Sequence, residues 1–257
     1  MVNNEDFTPY QQSLFEKLNQ AFTKKVDFWT NPESDLVSPV FESTFRTRLL
    51  YHHVVTDEVL NKKSFEYAFR DASRLAGKKA ELHPIKTASG YDVCIDDVRF
   101  SLKTEAEDGI SKTKIHISKL RECAFLRYVE GSFEKLIEEI SKYVMPLFDC
   151  YDRVLNLRIF RGKGLHTISY NLIEIPKGMF LAIGELKPTD FSPFLKTHGT
   201  SAVVKYKGQP AFTLRFDGSD EKITISGLRV DLCITHSTWN IPVLYTPESV
   251  ETPSRDY

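Results

Sequence analysis

The sequence predicts a mixed α/β (α+β) fold in which helices flank a central mixed β-sheet. Over about the first 80 residues, apolar side chains recur every three or four positions, which is typical of amphipathic helices. From about residue 92 onward they alternate, which is typical of strands. No internal repeat and no Gly/Ser/Pro-rich linker divides the 257 residues. We therefore expect a single domain with a helical first part and a strand-rich second part.

Three helices are predicted. The first covers residues 9–29 and ends at a polar break. The second begins at Thr56, because the two acids that follow it suit a first helical turn, and it ends at Gly77. The third begins after Ser132 and ends at Pro146. The apolar stripe of the second helix leaves Glu66 on its flank, where the carboxylate can point along the surface into a cleft.

Strands are predicted on both sides of the third helix. Residues 92–95 and 98–103 form a hairpin around a tight turn at Asp96 and Asp97, and residues 112–117 form a third strand. The second half of the chain alternates at 153–160, 166–175, 202–206, 211–216, 222–225 and 229–235. A Gly/Pro-punctuated loop spans 187–200, and the tail at 248–257 is expected to be disordered.

Composition excludes several classes of protein. With 41% hydrophobic and 27% charged residues, the chain is not disordered throughout. A balance of 34 Lys and Arg against 35 Asp and Glu excludes a uniformly basic coat for nucleic acid, although a local basic cleft stays compatible with it. No apolar run is long enough for a membrane span, and the first residues do not resemble a signal peptide. Four scattered cysteines without a CxxC pair indicate a reducing, cytoplasmic location.

The predicted hairpin brings an acid and a lysine together. On its second strand Phe100 and Leu102 face the core, so Ser101, Lys103 and, further along, Glu105 project from the opposite face. Across the hairpin, Asp92 reaches the same region of the second strand. We therefore expect Asp92 and Lys103 to converge at one edge of a small sheet.

Such a pair suits the hydrolysis of phosphodiesters. Mg²⁺ prefers carboxylate and carbonyl oxygens and offsets the charge that develops at phosphorus, while a lysine beside the phosphate can orient or deprotonate the attacking water. An acid, a short gap and a lysine on the next strand form the skeleton of the PD-(D/E)xK nucleases. A charged hairpin is also typical of an exposed strand pair. Two positions depart from the motif, because Tyr91 replaces a proline and Ser101 replaces the second acid.

The hairpin with the following LKTEA segment resembles the catalytic region of the SmaI-type family of type II restriction endonucleases. The resemblance runs in the same order from about residue 40 to 242, through the segments RLLYHHVVT, SFEYAF, ISKTKIHISK, EIPK, FTLRFDG and CITHSTW. It implies a PD-(D/E)xK nuclease core. Residues 1–257 would then form one nuclease domain, with a helical part at about 1–80, a catalytic core at about 81–180 and elements for DNA recognition or dimerisation at about 181–245.

The resemblance implies that Asp92 binds the metal, that Lys103 is the lysine of the motif and that the Leu102 carbonyl adds a backbone ligand. Because Ser101 occupies the second acidic position, another carboxylate must complete the site. The candidates are Glu66 and Glu105, ranked equally, followed by Glu122; the alternative for each is a solvated surface glutamate.

A cationic stripe follows the hairpin. No acid interrupts residues 111–121, and Lys112, Lys114 and His116 alternate onto one strand face. Together with Lys119 and Arg121 they are expected to contact DNA phosphates; the alternative is an edge strand guarded by lysines.

The remaining histidines have other predicted roles. His52 and His53 are adjacent and point apart, which favours a structural or DNA-facing role over metal binding. For His236 and Trp239, contacts to bases and closure of a dimer stay open.

Function follows from the resemblance. It implies a Mg²⁺-dependent type II restriction endonuclease that cuts both strands of a short palindromic site in double-stranded DNA as a homodimer, by direct attack of water and without a covalent intermediate. Two alternatives stay open. One is a repair or junction nuclease of the same fold, and the other is a catalytically inactive DNA-binding protein, which Ser101 makes plausible.

Overall fold

A computed structural model describes residues 7–85, 90–161 and 167–245 of the chain. Over these ranges five α-helices, connected in places by 3₁₀ turns, surround two β-sheets, so the predicted mixed α/β class is confirmed. The helices are α1 (Pro9–Thr23), α2 (Pro39–Val55), α3 (Lys62–Leu75), α4 (Phe133–Glu139) and α5 (Lys177–Leu181). The strands are β1 (Asp27–Thr30), β2 (Ala80–Leu82), β3 (Val93–Ile95), β4 (Val98–Glu105), β5 (Lys114–Glu122), β6 (Arg153–Arg161), β7 (Thr167–Ile175), β8 (Thr200–Tyr206), β9 (Gln209–Asp217), β10 (Lys222–Arg229) and β11 (Ile234–Pro242).

The larger sheet is mixed and holds seven strands in the order β1-β11-β7-β6-β4-β3-β2. Within it β4 and β6 run parallel, and the other neighbouring pairs are antiparallel. A parallel pair needs a crossover connection, and here β5, α4 and several helical turns supply it. The smaller sheet is antiparallel, with the order β5-β10-β9-β8. The strand of the predicted catalytic lysine thus lies inside the large sheet, next to β6.

Each face of the large sheet is covered by a different layer. The helices α1 to α3 pack on one face around a core that includes Phe45, Phe69 and Trp239. The other face meets the small sheet and the segment around α4 through residues such as Val154 and Ile173. The burial of both faces gives the central strands nearly continuous apolar stretches. No helix among the described residues is long and apolar enough to span a membrane.

The N-terminal elements differ from the predicted helices. The first helix ends at Thr23, and residues 27–30 form β1 instead, because their aromatic and β-branched side chains suit a strand that pairs with β11. The second predicted helix begins not after Thr56 but after Asn61, whose side chain accepts a hydrogen bond from Ser64 N. Thr56 instead ends α2, a helix whose boundaries the sequence did not predict.

The hairpin of β3 and β4 matches the prediction closely. Asp96 and Asp97 have φ values of 47° and 68°, the left-handed pair that a tight two-residue hairpin turn requires. Strand β4 continues to Glu105, two residues beyond the predicted end. This extension places Lys103 within the strand and not at its end.

Later strands follow the predicted alternation, with some shifts. The strand predicted at 112–117 begins at Lys114 and runs to Glu122. The strand predicted at 229–235 is wrong in position, because a 3₁₀ turn at Val230–Leu232 separates β10 from β11. Ser132 caps α4 as predicted, but the helical turns continue past Pro146 to Cys150. The predicted disordered tail, 248–257, lies outside the described residues.

Candidate active site

Asp92 is held at the start of the catalytic hairpin by two backbone contacts. Its amide donates to the Phe100 carbonyl at 2.7 Å, which extends the pairing of β3 with β4 by one residue. Its Oδ2 accepts a hydrogen bond of 2.6 Å from Leu102 N. The carboxylate is therefore fixed beside the backbone of Leu102, and Oδ1 is left for a second partner.

Glu66 reaches the same place from α3. Although it is charged, Glu66 is only 7% exposed. The Lys62 ammonium lies 2.8 Å from Asp92 Oδ1 and 3.7 Å from Glu66 Oε1, and Lys63 Nζ donates to Glu66 Oε2 at 2.7 Å. Lys62 and Glu66 share one face of α3 because they are four residues apart. The two carboxylates thus converge on one cation.

Lys103 projects from β4 into the same cluster. Burial lowers the pKa of its ammonium, and the nearby Lys62 lowers it further, whereas Asp92 and Glu66 act in the opposite direction. Such an amine is easier to deprotonate than a surface lysine. The structure therefore brings Asp92, Glu66 and Lys103 together in one cluster.

The donor set of this cluster fits a hard divalent cation. Asp92 and Glu66 supply carboxylate oxygens that already face a positive charge, and the backbone of Leu102 lies beside them. In the described ranges no three side chains of His, Cys, Asp or Glu form a cluster that could hold a metal. Mg²⁺ does not require one, since it is commonly bound by one or two carboxylates with water and phosphate oxygens completing its shell.

Glu105 is placed differently. Its Oε2 accepts from Arg158 Nε at 2.7 Å and its Oε1 accepts from the backbone amide of His116 at 2.9 Å. Both residues of the ion pair are buried. Both carboxylate oxygens therefore accept hydrogen bonds from neighbouring strands, so that Glu105 links β4 to β6 and β5.

Glu122 is exposed at the end of β5, where Lys119 pairs with it at 2.8 Å and lowers the pKa of its carboxyl.

A cleft of about 430 Å³ opens between β4 and β5 in front of this cluster. Lys62, Lys103 and Asn156 lie on one side of it, and His116 and Lys119 lie on the other. The predicted cationic stripe is exposed at Lys112, Lys114, His116 and Lys119, while Ile115 and Ile117 point into the core. The stripe therefore borders the cleft that contains Lys103.

Several histidines and one tryptophan belong to the core. His53 is buried and its Nε2 lies 2.6 Å from the Tyr170 hydroxyl. His236 is buried between Ser34 and Glu174, at 2.8 Å and 3.0 Å, and Trp239 Nε1 donates to Glu42. These contacts support a structural role for His53. For His236 and Trp239, contacts to bases and closure of a dimer are both wrong, because each side chain is buried within the chain.

Sequence reasoning missed Lys62 and Asn156. The spacing of four residues from Glu66 on a helix was a usable signal for Lys62. Asn156 carried no signal, since it is one polar residue in an apolar strand whose register with β4 only the fold defines. Ser101, at the second acidic position of the motif, is 1% exposed and lies on the same strand face as Lys103.

Comparison with known proteins gives a consistent picture. The family model for SmaI, described as a type II site-specific deoxyribonuclease, matches residues 9–241. The type II restriction enzyme SmaI of Serratia marcescens is 31% identical over 233 residues, which cover 90% of this chain and 91% of that protein. No solved structure matches the chain.

Proposed function

Because the chain belongs to the SmaI family of type II site-specific deoxyribonucleases and is a type II restriction endonuclease, we propose that it cuts both strands of a short palindromic site in double-stranded DNA with Mg²⁺ as its cofactor. The observation that carries this proposal is the pair of carboxylates, Asp92 and Glu66, which converge on one cation beside Lys103. Two acids that can bind a divalent cation, next to a lysine at the wall of a cleft, suit phosphodiester hydrolysis.

Each residue of the cluster has a distinct role in the proposed reaction. Asp92 and Glu66 hold the metal, and the Leu102 carbonyl is the proposed backbone ligand. When bound, Mg²⁺ supplies positive charge at the phosphate and lowers the pKa of water in its shell. Lys103 orients the attacking water and accepts its proton, for which a lowered ammonium pKa is suitable. The water oxygen bonds to phosphorus while the bond from phosphorus to one sugar oxygen breaks, without a covalent intermediate. The departing sugar oxygen takes up a proton from solvent.

Between the two glutamates ranked equally from the sequence, we infer that Glu66 completes the metal site. The carboxylate of Glu66 faces the ammonium groups of two solvent-exposed lysine side chains, which a metal can displace. The carboxylate of Glu105 faces a buried guanidinium and a backbone amide, and to release it the contact between two sheets must break.

The cations beside the cleft are proposed to hold the DNA backbone. Lys112, Lys114, His116, Lys119 and Arg121 lie along β5 or just before it. Because β5 forms one wall of the cleft, phosphate contacts along it would position the scissile bond next to Lys103. We further propose a homodimer, since a palindromic site has two-fold symmetry, and a cytoplasmic location. We also propose that the chain forms one nuclease domain with the subdivisions predicted from the sequence.

Digestion of defined plasmids tests the proposed function. The parent protein with Mg²⁺ is expected to give discrete fragments, and Asp92→Asn and Glu66→Gln are each expected to reduce the rate by about 100-fold or more. Glu122→Gln is the matched control and is expected to keep the parental rate. Smeared products or selective cutting of branched DNA would favour a repair or junction nuclease. Absence of metal-dependent cleavage by the parent would favour an inactive DNA-binding protein.

A further inference from the structure

Asn156 carries a buried oxygen that no donor satisfies. The residue lies in β6, in the middle of the large sheet, and is 1% exposed. Within the described ranges, Asn156 Oδ1 is the one buried side-chain nitrogen or oxygen without a hydrogen-bond partner. Buried acceptors of this kind are rare in folded proteins, because their lost hydration is not replaced. Its retention therefore requires an explanation.

Lys103 carries the complementary group, an amine that can donate a hydrogen bond. In the parallel pairing of β4 with β6, Lys103 and Asn156 are direct partners, so their side chains leave the sheet on the same face, with the strands about 4.8 Å apart. Both residues line the catalytic cleft. Among the described residues, Lys103 Nζ forms neither a hydrogen bond nor an ion pair. A donor group without an acceptor thus stands next to an acceptor without a donor.

We propose that Asn156 is a positioning residue, whose Oδ1 accepts a hydrogen bond from Lys103 Nζ and holds that amine at the scissile phosphate. The inference rests on the proposed function of Lys103. A lysine side chain has four rotatable bonds, and a hydrogen bond to the acceptor would restrict the position of its terminal amine. In the neutral amine, the lone pair and the second N–H group would stay directed into the cleft, toward the water and the phosphate.

Other roles for Asn156 agree less well with its surroundings. The side chain is too buried to meet the edge of a base in a DNA groove. The carboxylates that converge on Lys62 reach the cleft from α3 and from the start of β3, whereas Asn156 lies on the opposite side of β4 from β3. Asn156 is therefore assigned to Lys103, its neighbour across the ladder.

Two substitutions at Asn156 separate the acceptor from the shape of the side chain. Asn156→Leu removes the acceptor with little change in volume, and Asn156→Asp keeps an acceptor. Under single-turnover conditions with Mg²⁺, Asn156→Leu is expected to cleave DNA about tenfold or more slowly, with an unchanged dissociation constant for DNA and an unchanged melting temperature. Because its carboxylate raises the pKa of the Lys103 ammonium, Asn156→Asp is expected to cleave more slowly than the parent at neutral pH and to come within about threefold of it at high pH. Thr224→Val, which removes a buried hydroxyl in the small sheet, is the control and should cleave at the parental rate.

Three outcomes would overturn the inference. The first is a parental rate in Asn156→Leu. The second is a rate in Asn156→Asp at high pH as low as that of Asn156→Leu. The third is a loss of rate in Asn156→Leu that is matched by a loss of DNA affinity or of folding. A second readout does not depend on cleavage. In NMR spectra of protein with ¹⁵N-labelled lysine, the Lys103 ammonium, assigned with Lys103→Arg, should become more mobile in Asn156→Leu and not in Thr224→Val. If the parent does not cleave DNA, the proposed function fails, but this comparison still tests the contact.

Discussion

Lys62 controls the charge of the candidate site. Its ammonium stands between Asp92 and Glu66, at the point where the proposed metal would bind. Without metal, Lys62 and Lys63 compensate two acids that are close together and would otherwise repel each other. A divalent cation must therefore compete with Lys62 for the same oxygens.

Substitution of Lys62 by methionine tests this competition. We expect Lys62→Met to bind Mg²⁺ about threefold to tenfold more tightly in the absence of DNA, because a nearby positive charge is removed from a partly solvated site. Calorimetric titration with Mg²⁺ measures the change. Lys78→Met is the control, since Lys78 pairs with Asp96 at a surface turn away from the cluster. Equal or weaker binding by Lys62→Met would show that Lys62 does not compete with the metal.

The residue scale is also where prediction from sequence succeeded best. The convergence of Asp92 and Lys103 could be predicted, because a tight turn and the alternation of a strand fix which side chains share a face. The choice between Glu66 and Glu105 could not be made, because each is a glutamate at a suitable distance along the chain. The proposed choice of Glu66 rests on the partners of the two carboxylates, which are lysine ammonium groups for Glu66 and the buried Arg158 for Glu105.

At the scale of elements, Arg158 joins the two sheets. Besides Glu105, its guanidinium donates to the carbonyls of Ser111, Lys112 and Lys114, the last at 2.7 Å, so that one side chain fixes the segment that leads into β5. Strand β5 forms the far wall of the cleft. The position of that wall relative to Lys103 therefore depends on a buried ion pair.

Arg158→Met is expected to destabilise the protein by about 3–5 kcal/mol, because Glu105 would remain buried without its partner. Urea unfolding at neutral pH measures the difference. Lys119→Met removes an ion pair exposed to solvent, with Glu122, and should leave the unfolding midpoint unchanged. An Arg158→Met protein as stable as the parent would mean that the ion pair contributes nothing to the contact between the sheets.

His53 makes the helical layer sensitive to acid. It lies near the end of α2 and contacts Tyr170 in β7, whose hydroxyl also accepts from Leu60 N just before α3. Burial lowers the pKa of His53 from 6.5 to about 4. The unfolded chain therefore takes up a proton at a higher pH than the folded chain, and the stability present above pH 6.5 is lost as the pH falls toward 4.

Between pH 7.5 and pH 5, this linkage is expected to remove about 2 kcal/mol from the free energy of unfolding. Urea titrations at the two pH values measure the loss, which His53→Gln should reduce. Tyr170→Phe is the matched control, because it weakens the same network but keeps the buried imidazole, so its pH dependence should match that of the parent. If His53→Gln and the parent lose the same free energy, another group is responsible for the sensitivity to acid.

At the scale of the whole molecule, the sequence predicts the class of the fold but not its layers. The alternation of apolar residues identified most strands, because a strand that is buried on one or both faces must be apolar there. It could not show that β4 pairs with β6, or that residues 27–30 join β11, because pairing between distant segments leaves no local pattern. The position of Asn156 beside Lys103 was unpredictable for the same reason.

A homodimer on a palindromic site has one active site for each strand. We therefore expect mixed dimers of the parent and Asp92→Asn to nick supercoiled plasmids, whereas parental dimers linearise them. Two affinity tags allow the mixed species to be isolated, and gel electrophoresis resolves the nicked and linear products. Linearisation by purified mixed dimers would contradict the assignment of one strand to each subunit.

The packing of Trp239 has a consequence for synthesis of the enzyme. Its ring lies 5.0 Å from Phe45 in the helical layer that carries Glu66, and Ile241 is buried in the same core. A chain truncated after Cys233 lacks all of β11, so we expect proteolysis to digest its helical part far faster than that of the full chain. Comparable resistance in the two chains would contradict this dependence. During translation, then, we expect the helical layer that carries Glu66 to stay unstable until β11 has left the ribosome, so that shorter chains lack a folded active site.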